Sequence, residues 1–521
     1  MTFEADFPPG PELTRAFLIA AARFPGKTAL VCGDERVSYA ELLPRVAGLA
    51  RALQDSGLQR GDRVLLMLDN GIEFAVAMHA LLLLGAVIVP VSPLTKTDKL
   101  RYLLIDTDAV ALVAHATLAP AWQAALPRAP ALRSVWVVGQ ADTDDARCRA
   151  WPGAAAAALP DLAIDGRELA AIIYTSGTTG QPKGVMLSHD NMRAAWRSVQ
   201  AYLHLREDDV IGLALPMTFS YGLYHVIMGL GLGATIVIER SVAFPVKLLQ
   251  RFAAERVTVF PGVPTLFASL LGQDLAAYDL GALRIATNAA AALPIAHLQR
   301  LRQAWPQMRF FAMYGLTECK RASYLAPEDI DARPASVGRG MPFQRHWLVD
   351  EDGRDVTVGG VGQLVGAGPH VMQGYWRRPG ESAEKLRPAP DGTPALYTGD
   401  IFRSDADGYL YFVSRSDDII KSRGEKVSPV EVEHAICGLP GVIDAAVVGV
   451  PDELLGEAVQ AYVRIATGVQ LTERDVIRHC LATLESFMAP KRVVFVEELP
   501  VTDSGKVQRS GLRNLHPPTN S

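Results

Sequence analysis

Eight short apolar runs alternate with helical patterns between about residues 28 and 315: TALVCG, DRVLLML, AVIVPV, VALVAH, SVWVVG, AAIIYT, ATIVIE and VTVFPG. Runs of this length, rich in Val and Ile and free of polar alternation, read as strands buried on both faces. The stretches between them, such as Tyr39 to Ser56 and Phe244 to Arg256, carry helical spacing. Strand–helix–strand alternation implies parallel sheets with helices on both faces, an α/β architecture. The longest apolar stretch, Phe74 to Val91, contains His79, Gly85 and Pro90. A membrane span needs ~20 uninterrupted apolar residues. This stretch therefore reads as a buried helix, Ile72 to Leu84, leading into a short strand, Ala86 to Val89, and no span is expected.

The pattern changes twice. Gln140 to Asp165 is rich in Ala, Pro and Asp and reads as a surface connection. From residue 334 to 416, short strands and the turns Asp352-Gly353 and Asp407-Gly408 suggest an antiparallel, barrel-like part. A chain of 521 residues exceeds one ordinary core. The expected division is a large N-terminal domain, 1–416, and a small α+β C-terminal domain, 417–521, with the boundary at Ser416 to Asp418.

Composition excludes some functions. A net charge of −5 without a long basic tract argues against nucleic acid as a partner. The five cysteines contain no C-x-x-C pair, which fits a reducing cytoplasm and no structural zinc. The segment MTFEADFPPG is acidic and Pro-rich, unlike a secretory signal.

Residues Tyr174 to Gly184, YTSGTTGQPKG, follow the apolar run Leu169 to Ile173. Small residues let backbone N–H groups curl around an anion. The hydroxyls of Thr175, Ser176, Thr178 and Thr179 add neutral donors, Gly177 and Gly180 add freedom, and Lys183 adds a charge. The loop suits a polyphosphate. It is not a Walker A motif, because Gly184 follows Lys183 where Ser or Thr is needed.

The run YTSGTTGQPKGVMLSHDN resembles the signature of the acyl-adenylate-forming superfamily, which includes acyl-CoA synthetases, stand-alone adenylation domains and luciferases. Further segments match in order: GDRVLLMLDN, LGAVIVPVSP, MYGLTE at Met313 to Glu318, YTGD at Tyr397 to Asp400, GYLYFVSRSDDIIKSRGEKVSPVEVE at Gly408 to Glu433, and SGKVQR at Ser504 to Arg509. The resemblance implies an ATP-dependent ligase that joins a small carboxylic acid to AMP, releases PPi, and passes the acyl group to a thiol. CoA is the favoured acceptor, with an acyl or peptidyl carrier protein as alternative. Transfer to an amine and activation of nitrite, as in diazotase-like enzymes, stay open. A non-catalytic nucleotide sensor on the same fold is the reading from a different class.

The resemblance also assigns roles. Lys183 and the loop hydroxyls would hold the β- and γ-phosphates, and Glu318 would hold Mg²⁺ beside Thr317. Tyr314 would offer a face to adenine, Gly315 would keep the backbone close, and Asp400 and Arg415 would take the ribose hydroxyls. Lys506 would approach the α-phosphate during adenylation. Asp417 would be the hinge about which a mobile C-terminal domain rotates, bringing Lys421 and Gly424 to the thiol side. Phe219, Ser220, Tyr221, Asn288, Ala289, Ala290 and Cys319 would line the acyl pocket. Where relatives carry a Gly/Ala-rich segment along the adenine and acyl pocket, this chain has NAAAA at Asn288 to Ala292, which implies a more rigid segment or a slightly smaller pocket. The aromatic–His pair that many relatives carry soon after the pocket proline is missing: Pro216 is followed by MTFSYGLYH, and His225 is too far along. Lys320 and Arg321 are unusually basic beside an acyl pocket. Both are expected to face solvent; facing inward, they would suit an acid with a second polar or anionic group.

Overall fold

A computed structural model describes residues 13–155, 163–175, 182–415, 418–422, 425–452, 455–502 and 507–514. Ser176, Gly177, Thr178, Thr179, Gly180, Asp417, Gly424 and Lys506 lie outside the described residues.

The eight apolar runs are all strands. In the strand Arg63–Met67, Val64 and Leu66 enter one apolar core, while Leu65 and Met67 enter another. A strand buried on both faces needs no polar alternation, which is why the run reads as continuous. This strand lies in an eight-stranded sheet whose interior pairings are parallel; the strands Leu169–Thr175 and Lys183–Ser188 pair antiparallel at one end. A nine-stranded sheet contains Thr28–Cys32, Val210–Leu213, Thr235–Ile238, Val259–Gly262, Ile285–Asn288 and Arg309–Tyr314 in parallel. Leu30, Ile211 and Ile236 of this sheet share a core with Val64 and Leu66, so the two sheets sandwich the helices between them.

One of those helices is Ile72–Leu83, buried on every side except at Glu73. Its uniform hydrophobicity reflects that placement. The helix Tyr39–Asp55 starts at a capping box, with Ser38 Oγ accepting from the Glu41 N–H and the Glu41 carboxylate accepting from the Ser38 N–H. The helix Ser220–Leu232 ends at Gly233 and packs on Leu13–Arg23.

Two parts differ from expectation. Within 140–165, the short strand Cys148–Ala150 extends the eight-stranded sheet at its edge. Residues 334–416 do not form one unit: Arg339–Gly340 joins the nine-stranded sheet and Gly374–Tyr375 the eight-stranded one. The rest is a five-stranded antiparallel sheet built on the long strand Pro394–Ser404. Val361–Ala367 pairs along one side of it; Leu386–Pro388 and Leu410–Arg415 share the other. Among the described residues no pairing closes this sheet into a barrel.

From Ile420 onward the chain builds its own sheet and its own core, centred on Val447, Ala461 and Val463. Among the described residues no helix is long and apolar enough to cross a membrane.

Candidate active site

The described ends of the phosphate loop are held by a hairpin: Tyr174 pairs with Gly184, and Thr175 with Lys183. The pairing is close. A β-carbon at Gly184 would lie 2.6 Å from Ile172 Cγ2 and 3.1 Å from the Tyr174 ring. The Tyr174 hydroxyl donates to Asp106, and the Tyr102 hydroxyl donates to the Pro182 carbonyl at 3.0 Å. Burial, and then the Asp106 carboxylate, push the Tyr174 phenol well above its ordinary range. Both tyrosines are therefore neutral props that fix where the loop leaves and re-enters the sheet.

A residue far along the chain completes this wall. The strand Gly374–Tyr375 pairs antiparallel with Lys183–Ser188, setting Tyr375 opposite Val185. The Tyr375 hydroxyl donates to Glu318 Oε1 at 2.8 Å, and the Lys183 ammonium lies 5.6 Å from the Tyr375 ring centroid. Lys183 and Glu318 thus meet through one aromatic ring. Burial, followed by the Glu318 charge, drives the Tyr375 phenol far upward, so it stays a donor. Next to it, Trp376 donates from its backbone to the Gly184 carbonyl at 2.7 Å and from its indole to the Asp106 carbonyl at 2.8 Å. The sequence gives Tyr375 no motif of its own. The aromatic pair in QGYWRR was its only signal.

Tyr314, Asp400 and Arg415 also come together. Asp400 and Arg415 face each other across neighbouring strands, with Arg415 Nε 3.7 Å from Asp400 Oδ1. The Tyr314 hydroxyl, at the end of Arg309–Tyr314, donates to Asp400 Oδ2 at 2.5 Å. Burial and the Asp400 charge both raise the Tyr314 phenol. Phe402 sits edge-on to the Tyr314 ring at 4.7 Å.

Four residues after Tyr314, the chain reaches Glu318 through a tight turn. A β-carbon at Gly315 would lie 2.4 Å from the Lys320 carbonyl and 2.8 Å from Arg321 Cα. Gly315 therefore lets the turn fold back on itself, a reason the sequence did not suggest. The Ala322 N–H then donates to the Tyr314 carbonyl at 3.0 Å, closing the return. Thr317 is half-buried within this turn.

The expectation for the next residues is overturned. Lys320 and Arg321 do not face solvent: they are 3 % and 5 % exposed. Lys320 occupies the left-handed region at φ 62°, which turns its side chain inward. Its ammonium donates to the Ser220 carbonyl at 2.8 Å and lies 4.2 Å from the Tyr224 ring centroid. The Arg321 guanidinium lies over the Tyr221 ring at 4.2 Å.

The residues assigned to the acyl pocket cluster at strand ends. The Tyr221 hydroxyl lies 2.6 Å from Thr287 Oγ1. Asn288 ends the strand Ile285–Asn288; its Nδ2 donates to the Ala291 carbonyl at 2.9 Å, and its buried Oδ1 has no partner among the described residues. Ala289 is buried, and Ala290 is held at φ 78°. Ala290 thus stands where the backbone is left-handed, a conformation that favours glycine. Phe219 and Ser220 are half-buried at the start of the helix Ser220–Leu232. Cys319 is buried, and that burial pushes its thiol up to about 12, so it is no nucleophile. Lys421 is exposed on the strand Ile420–Ser422 of the C-terminal sheet, where its N–H donates to Glu457 Oε2 at 2.7 Å.

Among the described residues no group of three or more His, Cys, Asp or Glu side chains could hold a metal by itself. One carboxylate, Glu318, still fits Mg²⁺, which keeps waters and takes most of its other ligands from phosphates.

Ligands gather at the carboxyl ends of parallel strands in such sheets. Tyr314, Asn288 and the turn to Arg321 occupy those ends. The AMP-binding enzyme family matches residues 17–376, and the AMP-binding enzyme C-terminal domain matches residues 431–506. The chain is 33% identical over 497 residues to a feruloyl-CoA synthase from an Amycolatopsis species, covering 94% of this chain and 96% of that one. It is 31% identical over 541 residues to a long-chain-fatty-acid–CoA ligase of Yersinia pestis, covering 96% of this chain and 94% of the other. Among solved structures, the anthranilate CoA ligase AuaEII in complex with anthranoyl-AMP superposes with a TM-score of 0.89 at 27% identity, covering 98% of each chain. ATP-bound MatB from Rhodopseudomonas palustris superposes with a TM-score of 0.85 at 30% identity, covering 96% of this chain and 98% of that one. From its parallel sheets to its separate C-terminal sheet, this chain belongs to the AMP-binding enzyme family and is an AMP-forming acid–thiol ligase of the acyl-CoA synthetase type.

Proposed function

We propose that the chain activates a small carboxylic acid as its acyl-AMP and then forms the CoA thioester, with the residues above in these roles. The observation that carries the assignment is the pairing of two sets of side chains about one turn. Lys183, Tyr375 and Glu318 form a cationic and anionic wall at the described ends of the phosphate loop. Tyr314, four residues before Glu318, forms a second set with Asp400 and Arg415.

Joining a carboxylate to the α-phosphate brings two anions together, so both must be neutralised and aligned. Lys183 meets the β- and γ-phosphates. Glu318, oriented by Tyr375, would hold Mg²⁺, which would supply counter-charge to the phosphates. Asp400, set beside Tyr314 and Arg415, accepts from the ribose hydroxyls. The Tyr314 ring meets adenine. Lys506 and the hinge at Asp417 complete adenylation and the change to thiol transfer, as the resemblance implies. The large domain then runs to residue 416 and the small one from 417. Five free cysteines suit a reducing cytoplasm.

ATP–PPi exchange over aliphatic, aryl and amino acids, with nitrite included, tests the first step. Thioester formation with CoA, against an amine or a carrier protein, tests the second. No acid-dependent exchange would overturn the reading. Exchange followed by amide but no thioester formation would correct the acceptor.

A further inference from the structure

We infer that the acid this site activates carries a second anionic group, held by Lys320 and Arg321. The inference rests on the ligase reading above and deepens it.

Two basic side chains are buried side by side with no carboxylate paired to them among the described residues. Neither Lys320 nor Arg321 has a carboxylate within ion-pair distance among the described residues. The Arg321 guanidinium donates to the Lys320 carbonyl at 3.0 Å, and the Lys320 ammonium to the Ser220 carbonyl at 2.8 Å. These backbone acceptors carry no net charge. Moving an unpaired cation out of water is costly, and proteins rarely retain one without a counter-charge or a use for it. Tyrosine rings offset part of the cost. Arg321 lies 4.2 Å from the Tyr221 centroid, and Lys320 lies 4.2 Å from that of Tyr224.

The position distinguishes this pair from the phosphate-side machinery. Glu318 points to Tyr375 and Lys183, while Lys320 and Arg321, from the same turn, point to the helix Ser220–Leu232. The carboxylate that is adenylated has to lie on the phosphate side. The basic pair is therefore left for the other end of the acid. Two more polar atoms nearby lack partners: Asn288 Oδ1 and His225 Nε2 are buried without a hydrogen bond among the described residues. Burial, helped by the neighbouring Lys320 and Arg321, lowers the His225 imidazole to about 3. It stays neutral and adds no positive charge of its own. A site with unpaired buried polar groups rejects analogues that lack the matching group.

The test is ATP–PPi exchange with matched acids. One series sets butyrate, hexanoate and octanoate against succinate, adipate and suberate. The other sets benzoate against its hydroxyl- and carboxyl-substituted forms. The expected result is that a diacid or carboxyl-substituted acid exceeds its monoacid partner in kcat/KM by on the order of 10²-fold. Arg321→Met and Lys320→Met should each collapse that ratio by at least roughly tenfold, mainly through KM, and leave exchange with the monoacid unchanged or higher. Arg321→Lys should restore part of the preference. Lys320→Met is close in shape and removes a desolvated charge, so thermal unfolding should show a fold at least as stable as the parent. Monoacids preferred in the parent, or a uniform loss over all acids in both Met variants, would overturn the inference and leave the ligase reading standing. Absence of exchange with every acid would bring down the ligase reading, and this inference with it.

Discussion

Tyr375→Phe removes a single oxygen, and the structure says what that oxygen does. It donates to Glu318 Oε1 at 2.8 Å, while the ring beneath it stays in place for Lys183. A hydrogen bond to a charged group is worth about 1.5–3 kcal/mol. Each 1.36 kcal/mol is a factor of ten. If the bond fixes Glu318 where the phosphates and Mg²⁺ need it, the loss in kcat/KM for adenylation should be about 10- to 150-fold. Tyr375→Leu also removes the ring 5.6 Å from the Lys183 ammonium. That contact is worth roughly 0.5–1 kcal/mol, so the Leu variant should lose a further two- to fivefold. The assay is ATP–PPi exchange at saturating acid across a Mg²⁺ titration. A freed Glu318 should raise the Mg²⁺ concentration needed for half-maximal rate; a merely structural role would leave that midpoint alone. Parent-like exchange and an unshifted Mg²⁺ midpoint in Tyr375→Phe would refute the positioning role. Equal loss in the Phe and Leu variants would remove Lys183 from the account.

Other outcomes are also specific. Lys506→Ala should lose on the order of 10²-fold or more in adenylation, yet still form thioester from supplied acyl-AMP; equal loss in both half-reactions would contradict its role. Ala290→Gly releases a β-carbon held at φ 78°, where an L-residue pays about 1–2 kcal/mol. Set against the roughly 0.5–1 kcal/mol entropy cost of glycine, the urea midpoint should rise modestly; a clear fall would show that the methyl packs well enough to outweigh the strain. Burial raises the Asp444 carboxyl in the folded chain from 3.8 to about 6. Protonation therefore favours the folded state, and this contribution is full below about pH 4 and lost as pH rises through about 6. Asp444→Asn should flatten that part of the stability–pH curve relative to the parent, and a steeper curve would reverse the sign.

The sequence alone determined the elements and the order of the chemistry. Those signals are local. Continuous apolar runs such as DRVLLML mark strands with both faces buried, and Val64 to Met67 do alternate between two cores. The helical spacing from Tyr39 to Ser56 matches the helix Tyr39–Asp55 to within a residue. The small, hydroxyl-rich run after Tyr174 announces a phosphate loop by composition, and YGLTE and YTGD supply charged groups at recognisable places. What the sequence could not supply is which distant segments meet and which way irregular backbone points a side chain. Tyr375 reaches Glu318 only because Gly374–Tyr375 adds itself to the edge of a sheet nearly two hundred residues earlier in the chain. Lys320 and Arg321 follow a loop with no period of 2 or 3.6 to read, and a left-handed φ at Lys320 turns them inward. Their charge, by every local rule, belongs in water. Only the tertiary structure places them against Tyr221 and Tyr224, because side-chain direction in such a turn is set by the packing that surrounds it.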